Sequence, residues 1–522
     1  MAYKTAPDPK QTKFPGGVPY IIGNELAERF SFYGMKGILT VFMTQHMLNA
    51  SGEPDYMGDE QAKGWYHLFT GLSYTFPILG AILSDVVLGK YRTILWISLM
   101  YCVGHGFLAI MDVAPMLNMD MQLWLIMGML FIAIGAGAIK PCVSAHVGDQ
   151  FGHGNKHLLT QIFNWFYFSI NLGAASSMIL TPVLLAKVGP WAAFGLPGVL
   201  MAIATFVFWL GRNKFVHVPA AGWAKWKAET FSPEGKRALK WLAPLFLIFV
   251  MMFWAIFDQT GSAWVLQAES LNRKFLGMNW LESQIQFVNP ILILSGIPIF
   301  TYVIYPFMGK FFEPTPIRKI GIGFVLTAMA FVLSGIIEIW INRTAPEATA
   351  SLWQALETAG VTTGEMPAAL PDVVQIARDA GWTQEQINPH TSVLPTIGWQ
   401  FLAYLILTSG EIMVSIVCLE FAYTQSPKKM KSFVMGVFFL GVAFGNYLAM
   451  GVNFGLDAMR AEDGTSPLDG EMYYFAFAGA MLLVTAVYVV WSRSYQGEEF
   501  IQGEVEAEII EAEAEAEGID PR

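Results

Sequence analysis

The feature that most constrains this chain is a series of twelve apolar blocks along its length. Each block is long enough, as a helix, to span the ~30 Å hydrocarbon core of a bilayer. Only 14% of the 522 residues are charged, whereas soluble domains average roughly 25%. Several soluble domains joined by polar linkers are therefore excluded. The sequence predicts an all-α integral membrane protein with twelve transmembrane helices.

The apolar blocks fall into two sets of six on either side of a polar stretch. We therefore predict an N-terminal six-helix bundle at 1–211, a cytoplasmic linker at 212–240 and a C-terminal six-helix bundle at 241–496. The linker mixes tryptophan with lysine and arginine, which is typical of a helix at the membrane interface; a solvated linker is the alternative. An insert at 342–395, rich in Ala, Thr and Pro, predicts a small external hairpin or helix pair.

The charged residues are distributed unevenly. Much of the formal net charge of -10 belongs to an acidic tail at 497–522, which we expect to be cytoplasmic, so it does not indicate a cationic ligand. The chain has no basic face of the kind that binds nucleic acid. Lys and Arg concentrate in alternate connecting segments, and the positive-inside rule then places both termini in the cytoplasm.

Motifs for chemistry are missing from the sequence. The three cysteines lie in apolar surroundings without metal-ligand spacing, and the eight histidines form no cluster of ligands. No nucleophile elbow, zinc-protease or phosphate-loop motif is present. We therefore expect no metal, no cofactor and no enzymatic activity.

The first apolar block carries ionisable residues, which are costly inside a membrane and indicate function by default. Glu25, Arg29 and Tyr33 follow one another at intervals of four, which places them on one face of a helix. With Lys36 they form a polar stripe that we expect to face an internal, hydrated cavity. The alternative is an internal ion-pair clamp between Arg29 and Glu25 or Glu28.

Further polar groups lie within other apolar blocks: Lys140, Asn171, Asp258, Gln259, Asn289, Glu411 and Ser415. The cations and carboxylates inside the spans are nearly balanced in number. A cavity with separated positive and negative ends suits a zwitterion, whereas a simple anion would favour an excess of cations.

Several segments together resemble the proton-dependent oligopeptide transporter family of the major facilitator superfamily. The stretch from Glu25 through Glu28, Arg29 and Tyr33 to Gly34 resembles the ExxERFxYYG motif of that family, with Phe32 in place of its first tyrosine. The segments that resemble its fourth-, fifth- and seventh-helix signatures are Gly135–Ser144, Phe166–Gly173 and Phe253–Gln259. The matches extend over nearly the whole membrane core.

The resemblance implies the major facilitator fold, in which two six-helix bundles enclose a central site that works by alternating access. It implies proton-driven import of di- and tripeptides. By this resemblance, Glu411 holds the peptide amino group with the help of Asn171 and Asn289, while Lys36 and Lys140 hold the carboxylate. Peptide-binding residues also include Tyr33, Tyr74, Gln259 and Ser415.

The same reasoning identifies candidate residues for proton coupling and for gating. Glu25 and Glu28 beside Arg29 are the candidates for proton coupling, because a carboxylate whose partner moves changes its affinity for a proton. His67 is a further candidate, with a structural, hydrogen-bonded histidine as the alternative. Lys36 with Asp258 is expected to close the outer side, and Lys140 with Glu411 the inner side.

The alternatives are a transporter of the same fold for nitrate or an amino acid, and a membrane-embedded receptor or enzyme. The partners we expect are di- and tripeptides, protons and membrane lipid, with the protein a monomer. The short insert and compact termini favour a bacterial inner membrane.

Overall fold

The computed structural model describes residues 3–8, 10–220, 222–230, 233–425, 431–461 and 465–496. The acidic tail at 497–522 lies outside the described residues.

Six long helices form the N-terminal half: α1 Val18–Gln45, α2 Asp59–Leu88, α3 Lys90–Ala109, α4 Met121–Gly148, α5 Leu159–Lys187 and α6 Pro190–Leu210. A short helix, α7 Trp223–Thr230, follows in the stretch predicted to be a linker. Trp223 in α7 is exposed and stacks on Trp226 with their ring centroids 5.1 Å apart. A helix is therefore present in the stretch where an interfacial helix was predicted, with a solvated linker as the alternative.

The C-terminal half begins with α8 Gly235–Glu269, α9 Glu282–Met308 and α10 Pro316–Thr358. Its later long helices are α13 Gly398–Ala422, α14 Lys431–Ala458 and α15 Glu471–Ser492. Two strands, β1 Lys274–Phe275 and β2 Met278–Asn279, form a hairpin between α8 and α9.

Ten helices of the described chain are long and apolar enough to cross a membrane, and α3 with the bent segment Met111–Leu117 makes eleven. Helix α1 is outside that set because its charged and polar side chains lower its hydropathy, although most of its residues are buried. The count of twelve spans stays a prediction. Large apolar side chains that face outward, where lipid would lie, include Trp96, Ile203, Phe206, Val303 and Leu483.

Each half has an apolar core of its own. Glycines allow the helices to pack closely: a Cβ at Gly137 of α4 would lie 2.5 Å from the carbonyl oxygen of Ser73 in α2. Gly445 of α14 packs in the same way against the carbonyl of Met251 in α8. Small residues bring membrane helices together in this way because backbones can then touch. The halves meet along α2 and α14, and a polar cavity lies between them.

The insert contains a pair of short helices, one of its two predicted forms, and helix α10 continues into it. Helix α10 runs on to Thr358, so its 43 residues extend about 65 Å. Two short helices follow, α11 Leu370–Asp379 and α12 Gln384–Ile387. They pack on the end of α10 through a separate apolar cluster that includes Leu352 and Val373. The polarity of the insert did not reveal this continuation of α10, because that cluster covers one face of the helix.

Candidate functional site

A cavity of about 270 Å³ lies between the two halves. The predicted site residues that line it are Tyr33, Lys36, Tyr74, Asn171, Asp258, Asn289, Glu411 and Ser415. The aromatic side chains of Trp254 and Phe257 form part of the same wall. The tertiary structure thus brings residues from α1, α2, α5, α8, α9 and α13 to one polar space.

The first element of the site is an ion pair across the two halves. The Nζ atom of Lys36 lies 2.8 Å from Oδ1 of Asp258, and both side chains are buried. Asp258 begins a 3₁₀ turn, Asp258–Gly261, that interrupts α8. Such an interruption leaves carbonyls free for other donors. The carbonyl of Gly261 accepts a hydrogen bond from Thr40 of α1 at 2.7 Å.

A hydrogen-bonded chain extends this ion pair deeper into the interface between the halves. Asn446 donates from Nδ2 to Oδ2 of Asp258 at 2.8 Å, and its Oδ1 lies 2.8 Å from Nδ1 of His67. The other ring nitrogen of His67 lies 3.0 Å from the hydroxyl of Ser262. Because the Asn446 oxygen accepts, His67 carries its proton on Nδ1 and accepts from Ser262. His67 therefore lies in this hydrogen-bond network between the halves and not on the cavity wall.

Other bonds join the halves at the same end of the molecule, where α1 finishes and α2 begins. Gln286 of α9 donates to the carbonyl of Gly37 at 2.8 Å, and Gln284 donates to the carbonyl of Ile179 at 3.2 Å. Arg460 pairs with Glu60 of α2. We call this end the closed end.

Glu411 also lines the cavity. Asn289 donates to its Oε2 at 2.6 Å and to the hydroxyl of Thr408 at 3.1 Å, so the amide fixes the carboxylate. A π-helical turn, Ile412–Ile416, follows Glu411 and carries Ser415. Turns of this kind recur at functional sites in helices. The cavity lining therefore combines the carboxylate of Glu411 with the ion pair of Lys36 and Asp258.

Lys140 lies beside the cavity, and no residue of the described part of the chain forms an ion pair with it. Its Nζ is 4.0 Å from the ring centroid of Tyr74 and 4.8 Å from that of Phe32, which are cation–π distances. Within the described chain, no ion pair joins Lys140 to Glu411. The pair expected at the inner side is therefore not formed in this conformation.

The acidic motif of α1 is placed differently from the main expectation. Arg29 lies 2.7 Å from both Glu25 and Glu28, and all three side chains are buried. Tyr33 and Lys36 face the cavity, but this triad does not line it. The clamp alternative describes the geometry, because Lys36 finds its partner in Asp258 and needs none on α1.

Gln259 is also placed off the cavity wall. It is fully buried and donates to the carbonyl of Ala255 within its own helix at 2.9 Å. The 3₁₀ turn rotates it away from its neighbour Asp258. In this conformation its side chain is not part of the cavity wall.

Four residues important to the site were not among the predicted ones. Tyr66, Gln286 and Tyr404 line the cavity, and Asn446 bridges His67 to Asp258. Tyr404 donates to the carbonyl of Thr260 at 3.3 Å. The one usable signal in the sequence was a lone asparagine or glutamine within an apolar block, as at Asn446.

Two helical halves around a central polar cavity form the architecture of a secondary transporter. A family model described as the POT family matches residues 91–224 and 223–458. The chain belongs to this family of membrane transporters.

Curated relatives support that assignment. The chain is 35% identical over 376 residues to Peptide transporter 3 of Caenorhabditis elegans, covering 64% of this chain and 52% of that protein. It is 34% identical over 385 residues to Solute carrier family 15 member 1 of Homo sapiens, covering 64% and 53%. The chain thus spans about half the length of the curated relatives it matches.

Solved structures agree on the fold. An auto-inhibited POT family peptide transporter superimposes with a TM-score of 0.73 at 29% identity, covering 94% of this chain and 99% of that one. A proton dependent oligopeptide (POT) family transporter gives a TM-score of 0.64 at 30% identity, with coverages of 90% and 100%. The chain therefore has the major facilitator fold.

Proposed function

We propose that this protein is a proton-coupled symporter that imports di- and tripeptides by alternating access. The observation that carries the proposal is the separation of charge in the central cavity. Lys36, Asp258 and Glu411 all line it, and once Asp258 leaves Lys36 a zwitterion can pair with that ammonium and with Glu411. Charges in a site withdrawn from water attract each other more strongly than in bulk solvent.

The closed end faces outside in this proposal, and both termini are cytoplasmic. The distribution of Lys and Arg along the chain supports that orientation. The two bundles, 1–211 and 241–496, rock against each other about the cavity, with 212–240 as the linker between them. The short insert supports a bacterial inner membrane, although the curated relatives named above are animal proteins.

Lys36 couples binding to the outer gate. In the outward-open state Asp258 withdraws, and the freed ammonium holds the peptide carboxylate. Closure returns Asp258 to 2.8 Å from Lys36, which weakens the hold on the peptide and favours its release inward. Lys140 holds the carboxylate in the alternate state and pairs with Glu411 when the inner side closes. Tyr33, Tyr74, Asn171 and Ser415 supply hydrogen bonds to the peptide.

The α1 triad carries the proton. Two carboxylates share Arg29, so the triad is negative when both are ionised, and a buried uncompensated charge is costly. A proton on Glu28 or Glu25 removes that charge. Protonation then changes how firmly Arg29 is held and biases the two conformations.

Uptake by proteoliposomes tests the proposal. Purified full-length protein should accumulate labelled dialanine when an inward proton gradient is imposed, and a protonophore should abolish accumulation. Unlabelled dipeptide should compete, whereas nitrate and free alanine should not. Accumulation of nitrate or alanine in place of the dipeptide would contradict peptide transport and support the rival transporters.

A variant at the anionic wall tests substrate placement. Glu411→Ala should weaken the binding of free-amino dipeptides by roughly 10-fold or more, the loss of a charged hydrogen bond. N-acetylated dipeptides should lose far less, because they carry no ammonium group. Glu420→Ala, at an exposed position further along the chain, is the control. Equal losses for both peptides would refute the assignment of Glu411 to the amino group.

A further inference from the structure

A second and larger cavity, of about 550 Å³, lies at the closed end. One wall belongs to the N-terminal half and includes His46, Leu185 and Lys187. The opposite wall belongs to the C-terminal half and includes Arg378 and Trp382 of the insert. The central cavity has no lining residue in common with it.

The floor of this outer cavity is the interface between the halves. Gln284 donates across it to the carbonyl of Ile179 at 3.2 Å, and Ser283 beside it lines the cavity. The insert is bonded to the C-terminal half, through Asn388, which donates to Asn279 of the β-hairpin at 2.8 Å, and through Gln384, which accepts from Arg273 at 2.6 Å. The two walls must therefore separate when the halves part, and the cavity is complete only while this end is closed.

The charges that face the cavity favour an anion. Glu282 is buried and already paired with Arg273, and Arg378 lies 3.8 Å from it. Lys187 on the opposite wall has no ion-pair partner in the described part of the chain. A carboxylate placed between Lys187 and Arg378 would be attracted by both cations, because Lys187, Arg273 and Arg378 outnumber the carboxylates of Glu282 and of the nearby Glu269.

The rest of the cavity wall favours an apolar body. Trp382 from the insert and Pro182, Leu185 and Leu281 from the two halves line it. An indole and aliphatic side chains stabilise a ligand through buried apolar area. A small polar anion would leave this surface unused, but an aromatic carboxylate would cover it.

We propose that the outer cavity binds an amphiphilic aromatic carboxylate from outside and holds the closed end shut. The proposal rests on the alternating-access function proposed above. A ligand shifts a conformational equilibrium by its difference in affinity for the two states. Because this ligand requires both walls, it binds only the outward-closed state and slows the return that uptake needs.

The expected inhibition has a characteristic form. External peptide enters the outward-open state, so a saturating concentration does not displace a ligand held in the outward-closed state. The maximal rate of uptake should fall, and excess peptide should not restore it. A carboxylate that entered the central cavity would instead compete with peptide and raise the KM.

The test uses full-length protein in proteoliposomes, with labelled dialanine as substrate. Indole-3-butyrate is the probe, and its uncharged amide is the matched control ligand. We expect the carboxylate to lower the maximal rate at least twofold and the amide to have little effect. Lys187→Gln and Arg378→Gln should each raise the inhibition constant by about fivefold, the loss of one partly exposed ion pair. Lys274→Gln, at an exposed lysine outside the cavity, should not change it.

Ala186→Trp supplies a second variant that fills the cavity and should abolish inhibition while uptake continues. Competitive inhibition that Lys187→Gln leaves unchanged would overturn the proposal, as would the absence of inhibition by the carboxylate.

A binding experiment separates this proposal from the proposed transport function. Binding of indole-3-butyrate to solubilised protein is measured as an increase in the thermal stability of the protein. Binding that depends on Lys187 without any dipeptide uptake would refute only the transport function. Dipeptide uptake without such binding would refute only the outer cavity.

Discussion

Helix α1 carries two buried ionic clusters that differ in where their partners lie. In the triad of Glu25, Glu28 and Arg29, all three groups belong to one helical segment, with both carboxylates 2.7 Å from the guanidinium. Lys36, two turns further on, finds its partner Asp258 in the other half of the molecule at 2.8 Å. The first cluster is complete within one bundle, whereas the second exists only while the bundles meet.

The difference separates two tasks on one helix. The triad has two carboxylates for one cation, so its net charge depends on a proton, but relative movement of the halves does not break it. The Lys36–Asp258 pair is balanced, so it needs no proton, but opening must break it. We infer that the triad responds to protons and the pair responds to conformation.

The largest expected effect tests the first of these tasks. Glu28→Gln leaves one carboxylate on Arg29 and makes the triad permanently neutral, so proton-driven uptake should fall to background. Counterflow exchange of peptide should continue, because it needs no net proton movement. Proton-driven uptake and counterflow exchange are both measured in proteoliposomes. Glu347→Gln, at an exposed glutamate of α10, is the control. Full proton-driven uptake by the Glu28→Gln variant would show that the triad does not couple transport to protons.

The second prediction concerns the gate. Asp258→Asn leaves a buried ammonium without its partner, which costs about 3–5 kcal/mol in the closed conformation. The closed end should therefore open in most molecules. Spin labels at the exposed positions Ser51 and Lys274 report the distance across that end, which should lengthen. Glu28→Gln should leave this distance unchanged in the same assay, and a lengthening there would erase the distinction between the two clusters.

A smaller effect is expected at the bridging amide. Asn446→Ala removes the bonds to Asp258 and His67 and leaves two buried polar groups less satisfied, at about 1–3 kcal/mol. The spin-label distance should become a mixture of open and closed populations. Asn453→Ala, on the same helix, is the matched control, because Asn453 bonds to Ala449 and Tyr473 within its own half. An unchanged distance in the Asn446 variant would show that the ion pair holds the end alone.

The smallest effect belongs to a single hydroxyl. Thr40→Val removes the bond to the carbonyl of Gly261 and should destabilise the closed end by about 0.5–1.5 kcal/mol. Thr44→Val is the control, since the hydroxyl of Thr44 bonds back to Thr40 on its own helix at 3.1 Å. The two variants should differ in the open fraction measured by the same labels. Identical fractions would indicate that the Thr40 bond contributes nothing to closure.

The sequence predicted the parts of the site that lie on one helix. The spacing of Glu25 and Arg29 placed them together, and the structure brings them to 2.7 Å. The resemblance to a transporter family supplied the pairing of Lys36 with Asp258, which no local pattern could give. It also supplied the pair of Lys140 and Glu411, which the described residues do not form in this conformation.

Other features had no local signal. Asn446, Tyr404 and Gln286 are single polar residues in apolar blocks, and their roles depend on which helix of the other half faces them. Gln259 follows Asp258 directly, yet the 3₁₀ turn sends it to the carbonyl of Ala255. The outer cavity depends on the insert, which forms one of its walls. The polarity of 342–395 did not reveal that position.

The sequence by itself determined that the chain lies in a membrane, that two sets of helices flank a polar linker, and that charges within spans mark a site. These properties follow from hydropathy and from helical spacing, which act over a few turns of one segment. Only the tertiary structure decided which end is closed and which charges meet across the halves. Those contacts join residues that are distant in the sequence, such as Lys36 and Asp258 at 222 positions apart, and their geometry follows from how whole bundles pack.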